Sequence, residues 1–84
     1  MSDRDGDSVS ALHRVDLRGM RCPGPIVRLN TEFRQLATGT EVEVVASDPV
    51  FELDVKVWCK RTGHALLRLD VVPGEITAVI RRGA

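Results

Sequence analysis

The chain alternates between two hydrophobic periods. In HRVDLRG, Val15 and Leu17 stand two apart and Gly19 ends the run, which predicts a first strand. Ile26, Leu29, Phe33 and Leu36 then recur at helical spacing after Pro23, a residue favoured at a first helical position, and ATGT with Gly39 closes that helix. EVEVVAS, residues 41–47, is β-branched and alternating, a second strand. SDP follows, with Ser47 or Asp48 as helix cap and Pro49 at the first helical position. FELDVKVW fits two periods. Phe51, Leu53, Val55 and Val57 stand at strict period two, whereas Phe51, Val55, Trp58, Cys59 and Thr62 form one helical face. The cap before the segment and Gly63 after it favour the helix. HALLRLDVV and EITAVIRR flank PGE and read as a hairpin.

The predicted order is β-α-β-α-β-β, an α/β (α+β) two-layer sandwich. One four-stranded mixed sheet with both helices on one face buries every apolar stripe, and the first crossover is expected to be parallel and right-handed. At 84 residues the chain has room for one domain. Residues 1–12, MSDRDGDSVSAL, lack periodicity and read as a mobile tail before a domain at 13–84.

Formal net charge is zero, which argues against a strongly nucleic-acid-seeking protein. The charge is nevertheless unevenly placed. Arg14, Arg18, Arg21, Arg28 and Arg34 face only Asp16 and Glu32 in their stretch, whereas residues 35–58 set Lys56 against Glu41, Glu43, Asp48, Glu52 and Asp54. The polar N-terminus is no signal peptide and no apolar run suits a membrane span, so a cytoplasmic protein is expected, with no membrane partner. Cys22 and Cys59 are too few for a disulfide framework and are expected as free thiols.

The chemistry centres on RGMRCPGPIVRL, residues 18–29. Pro23 disfavours helical backbone at Cys22, which suits an N-cap. The sulfur is then expected to meet the N–H groups of Gly24 and Ile26, since Pro23 and Pro25 have none. Those donors, the helix dipole, and Arg21 and Arg18 nearby predict a lowered thiol pKa. Gly24 leaves room for an approaching protein. Pro25 occupies the place of the second cysteine in a Cys-x-x-Cys pair. A sulfur atom loaded on Cys22 therefore meets no local thiol to displace it, which suits a carrier better than an oxidoreductase.

VDLRGMRCPGPIVRL, with SDP at 47–49 and WCKRTGHAL at 58–66, resembles the TusA (SirA-like) sulfur-carrier family, whose hallmark is Cys-Pro-x-Pro at the start of the first helix. The likeness covers roughly residues 14–82. It implies the βαβαββ sandwich and a helix for FELDVKVW. It also implies that Cys22 is the catalytic residue of a sulfurtransferase, carrying sulfane sulfur as a persulfide without metal or organic cofactor. A cysteine desulfurase or rhodanese-type enzyme is the implied donor, and a DsrE-type or other relay protein the implied acceptor, serving tRNA thiolation, cofactor synthesis or sulfur oxidation.

Around Cys22, the residues expected to support thiolate and geometry are Arg21, Pro23, Gly24, Pro25 and Ile26, and those expected to dock partners are Arg18, Met20 and Arg28. Cys59 is expected in the core, and His64 against the last carbonyls of the second helix. Cys22, Cys59 and His64 match no zinc spacing. Two readings from other classes stay open. One is a small RNA- or protein-binding regulatory module using the arginines, disfavoured by the lack of interleaved aromatic residues. The other is a redox protein pairing Cys22 with Cys59. A thiocarboxylate-type carrier is disfavoured because the chain ends Gly83-Ala84.

Overall fold

A computed structural model describes residues 13–83, so the tail predicted at 1–12 lies outside the described residues. The elements run β1 (His13–Leu17), α1 (Gly24–Arg34), β2 (Glu41–Ala46), α2 (Phe51–Thr62), β3 (Ala65–Val72) and β4 (Glu75–Arg81). The sheet order is β1-β2-β4-β3. β1 and β2 pair in parallel with Val15 opposite Val44, and β4 runs antiparallel to both β2 and β3. This is the mixed four-stranded arrangement that the period-two stripes predict.

One sheet face is dry. Val15, Leu17, Val42, Val44, Ala46, Ile76, Ala78 and Ile80 are all buried, and Leu29, Phe33, Phe51, Val55 and Trp58 from the two helices join them in a single cluster. Both helices therefore cover the same face. On the other face Arg14 and Glu43 form an ion pair at 2.8 Å, as expected for a sheet with one wet side.

FELDVKVW is helical. Val55 is fully buried while Leu53 and Val57 stay 64% and 45% exposed, so the period-two stripe splits between core and surface. The segment ends where Gly63 turns left-handed (φ 82°) and its N–H returns to the Cys59 carbonyl at 3.0 Å. The cap differs from expectation. α2 begins at Phe51, and Pro49 stands outside it, because the Asp48 side chain and carbonyl take the Val50 and Phe51 N–H groups (3.1 and 2.9 Å) in a turn ahead of the helix. α1 likewise ends at Arg34, with Leu36 beyond it and packed against the core.

His64 also corrects its expectation. Its Nδ1 accepts the Gly83 N–H at 2.9 Å, and its ring packs on Phe33 and Trp58 at centroid distances of 4.9 and 5.0 Å. Phe33 and Trp58 meet edge to face at 5.0 Å. The indole N–H donates to Asn30 Oδ1 at 2.8 Å, which ties α2 to α1. The chain end can pass this closely because residue 83 is glycine: a Cβ there would drive into the Gly63 carbonyl.

Candidate functional site

Cys22 is exposed, on the connection from β1 to α1. Two residues ahead of α2 hold that connection from across the molecule. Ser47 Oγ accepts the Gly19 N–H and Asp48 Oδ2 accepts the Cys22 N–H, both at 2.8 Å. Asp48 thus spends one oxygen on α2's leading turn and the other on the cysteine backbone, and this clasp sets where the sulfur sits. Both N–H donors hold the Asp48 carboxyl below its ordinary range.

The cap geometry overturns one expectation. Pro23, not Cys22, is the residue before the helix (φ −92°, ψ 11°), no side chain caps it, and the Cys22–Pro23 peptide bond is cis. The Gly24 N–H donates to the Arg21 carbonyl at 2.7 Å, closing a turn over residues 21–24, and is no longer available to sulfur. The first helical bond runs from the Val27 N–H to the Pro23 carbonyl at 3.0 Å.

The expected basic surroundings are overturned as well. Arg18 turns to Asp16 at 2.9 Å and Glu75 at 3.8 Å, and Arg28 pairs with Glu32 at 2.8 Å. What faces the thiol is acidic. The Asp54 carboxylate facing it, loss of hydration, and the negative charges of Asp54 and Asp48 push the Cys22 thiol up rather than down. A basic stretch in sequence has become an acidic site in space, because Arg18 and Arg28 find partners on β1, β4 and α1 while Asp48 and, from α2, Asp54 bear on the sulfur.

The other nominated residues take definite places. Arg21 is exposed and its charge acts on Asp48. Met20 is packed against the core, and its carbons lie 3.6 Å from where a Gly24 Cβ would stand, so the space expected above Gly24 is occupied by Met20. Pro23 is exposed, whereas Pro25 is buried at the second helical position and anchors α1 beneath the cysteine. Ile26 is half-buried.

Cys22 opens onto a groove of about 480 Å³ between the helices. Cys22, Pro23 and Ile26 form one wall, and Leu53, Val57 and Trp58 the other, with Asp54 beside the thiol. Local pattern offered no signal for the α2 wall or for Asp54, one acid among several in its stretch. Asp48 was visible only as a cap. Cys59 is buried behind this layer at 4% exposure, and burial drives its thiol up to about 11, in keeping with a core role. Both cysteines are free. Among the described residues, no three His, Cys, Asp or Glu side chains gather where they could hold a metal ion, and no helix is long and apolar enough to cross a membrane.

Residues 13–82 match the family described as sulfurtransferase TusA. The chain is 31% identical over 78 residues to a putative sulfur carrier protein of Aquifex aeolicus, covering 93% of this chain but 40% of that protein. It is 36% identical over 70 residues to the sulfur carrier protein TusA of Pseudomonas putida, covering 83% of this chain and 88% of that one. With the βαβαββ sandwich and the exposed Cys22 of its Cys-Pro-Gly-Pro turn standing where the match runs, this chain belongs to the TusA sulfurtransferase family.

Proposed function

We propose that this protein is a sulfur carrier that accepts sulfane sulfur as a persulfide on Cys22 and relays it to a partner protein. The observation that carries this reading is a lone accessible thiol: Cys22 is exposed on a clasped turn, Cys59 is buried, and Pro25 stands where a resolving cysteine would be. Loading follows from thiol–disulfide chemistry. Cys22 sulfur attacks the outer sulfur of a donor persulfide, a new S–S bond forms, and the donor's S–S bond breaks. The donor cysteine leaves as thiolate and ends with the proton that Cys22 gave up, so no net electrons are exchanged. An acceptor thiol then attacks the outer sulfur of the Cys22 persulfide, which regenerates the Cys22 thiol.

Pro23, Gly24, Pro25 and Ile26 serve this cycle by fixing the turn and the groove mouth. Arg21, exposed and adjacent to Cys22 in the chain, and Met20, packed over Gly24, border the turn. Arg18 and Arg28, already paired with acids, have a smaller part in docking than their sequence position implied. A cysteine desulfurase or a rhodanese-type enzyme is the proposed donor and a DsrE-type or similar relay protein the proposed acceptor, in the cytoplasm. The test is incubation with a desulfurase and cysteine, followed by intact-mass measurement. One sulfur atom should add to Cys22 and be removed by reductant, and Cys22→Ser should take up none. Equal uptake by Cys22→Ser sinks the assignment.

A further inference from the structure

We propose that the outer edge of β3 is a dimerisation surface, on which β3 of a second copy of this chain pairs antiparallel about a two-fold axis through Leu69. β3 stands at the end of the sheet order. One flank is bonded to β4 from Ala65 to Val72, and among the described residues no strand pairs with the other flank. Such a flank presents backbone N–H and C=O groups ready to bond another strand, and edges are usually blunted by lysine, proline or short length. ALLRLDVV has 8 residues, contains neither lysine nor proline, and leaves Leu67, Val71 and Val72 exposed. Its irregularity lies between Leu66 and Arg68, so Arg68–Val72 runs as regular strand.

The charges of the edge are self-complementary, which is the argument for a second copy. Arg68 and Asp70 are the ionisable side chains of β3 and both are exposed. They stand opposite Val79 and Thr77 of β4, on the face turned away from the helices, because Ile76, Ala78 and Ile80 point into the core. A two-fold axis perpendicular to the sheet keeps both helix layers on one side and pairs residues of the same face. Centred on Leu69, it sets Arg68 opposite the partner's Asp70 and Asp70 opposite the partner's Arg68, with Val71 beside the partner's Leu67. Centred on Arg68 or Asp70, it sets a like charge against itself. Centred on Leu67 or Val71, it leaves Arg68 opposite Leu66 or Gly74. Arg68 and Asp70 already meet along the strand at 2.7 Å, but an exposed pair of this kind holds its members weakly, so both remain free to engage a second strand.

The opposite edge offers less. β1 has 5 residues, Val15 and Leu17 are buried, and Arg14 and Asp16 are engaged by Glu43 at 2.8 Å and Arg18 at 2.9 Å. No residue of β3 lines the Cys22 groove, so the dimer leaves both cysteines open on the helix side of one continuous sheet.

The test is sedimentation equilibrium of the reduced full chain from micromolar to millimolar concentration, where a reversible monomer–dimer equilibrium is expected. Arg68→Asp or Asp70→Arg alone should weaken it about tenfold or more, because like charges then face each other twice across the seam. Mixing these two single variants should restore dimers, since each strand then meets its opposite charge. A pair formed within one strand cannot give that result. Hydrogen exchange of the parent is the second readout and needs no variant: β3 amides should slow as concentration rises, and β1 amides should not. A parent that stays monomeric throughout, single variants that dimerise like the parent, or a mixture that stays monomeric overturns the proposal. So does a dimer that Cys22→Ser abolishes, which would be a disulfide. Protection of β3 in a monomer at every concentration puts another segment of the chain on the edge and also overturns it.

Discussion

Replacing Phe33 by alanine tests the packing that holds in place the helix following the Cys22 turn. Phe33 is 2% exposed and meets Trp58 edge to face at 5.0 Å and His64 at 4.9 Å, so it joins α1 to α2 and to the start of β3. Truncating a buried phenylalanine costs about 3–5 kcal/mol through lost transfer free energy and the cavity left behind. The upper half of that range applies here, because the ring's neighbours are two rigid rings that cannot collapse into the space. A domain of this size has a total stability of roughly 4–12 kcal/mol at ~0.05–0.15 kcal/mol per residue, so the variant loses a large share of it. At about 4–8 °C per kcal/mol, the melting temperature should fall by roughly 16–40 °C. The assay is thermal unfolding followed by circular dichroism and by the fluorescence of Trp58, the sole tryptophan. Val27→Ala is the control on the same helix. Val27 is 57% exposed, and its loss should change stability by no more than about 0.5 kcal/mol. A drop of less than about 5 °C for Phe33→Ala, or equal drops for the two variants, refutes the assignment of Phe33 as the pivot between the helices.

Gly24→Ala should be tolerated and should raise the melting temperature slightly. The new Cβ meets Met20 carbons at an ordinary 3.6 Å, and alanine is favoured over glycine in a helix by up to about 1 kcal/mol. A marked loss of stability would show that the turn needs glycine for its backbone. For His64, burial and the Arg82 charge hold the imidazole below its ordinary value of 6.5, so the folded protein favours the neutral ring that accepts the Gly83 N–H. A group with a depressed folded value contributes stability that is present above 6.5 and is lost as pH falls through the lower folded value. The urea midpoint should therefore decline from pH 7 to pH 5, and His64→Asn should flatten that decline. An unchanged slope would detach His64 from the effect.

What the amino-acid sequence settled by itself was the order of elements and the identity of the exposed thiol's neighbours in the chain. Val15 and Leu17 at period two, and Leu29 and Phe33 four apart, dictate a strand and a helix because those spacings place side chains on one face of each element. Pro25 in place of a resolving cysteine is likewise a fact of the chain. FELDVKVW fitted both periods over eight residues. The flanking Gly63 favoured the helix, and the left-handed turn there completes it.

Only the tertiary structure decided the chemistry around the sulfur. Asp48 lies 26 residues from Cys22 and still bonds its N–H, and Asp54 of α2 lines the groove onto which the thiol opens. Counting charges along the chain made the site basic, but Coulomb interactions fall with distance through space, not with separation along the sequence. Arg18 spent its charge on Asp16 and Glu75, and α2 placed Asp54 in the groove beside the cysteine. The same holds for His64, which nothing local could pair with a glycine 19 residues further on. Local periodicity chooses elements, while the packing of one element on another chooses which charges and donors meet.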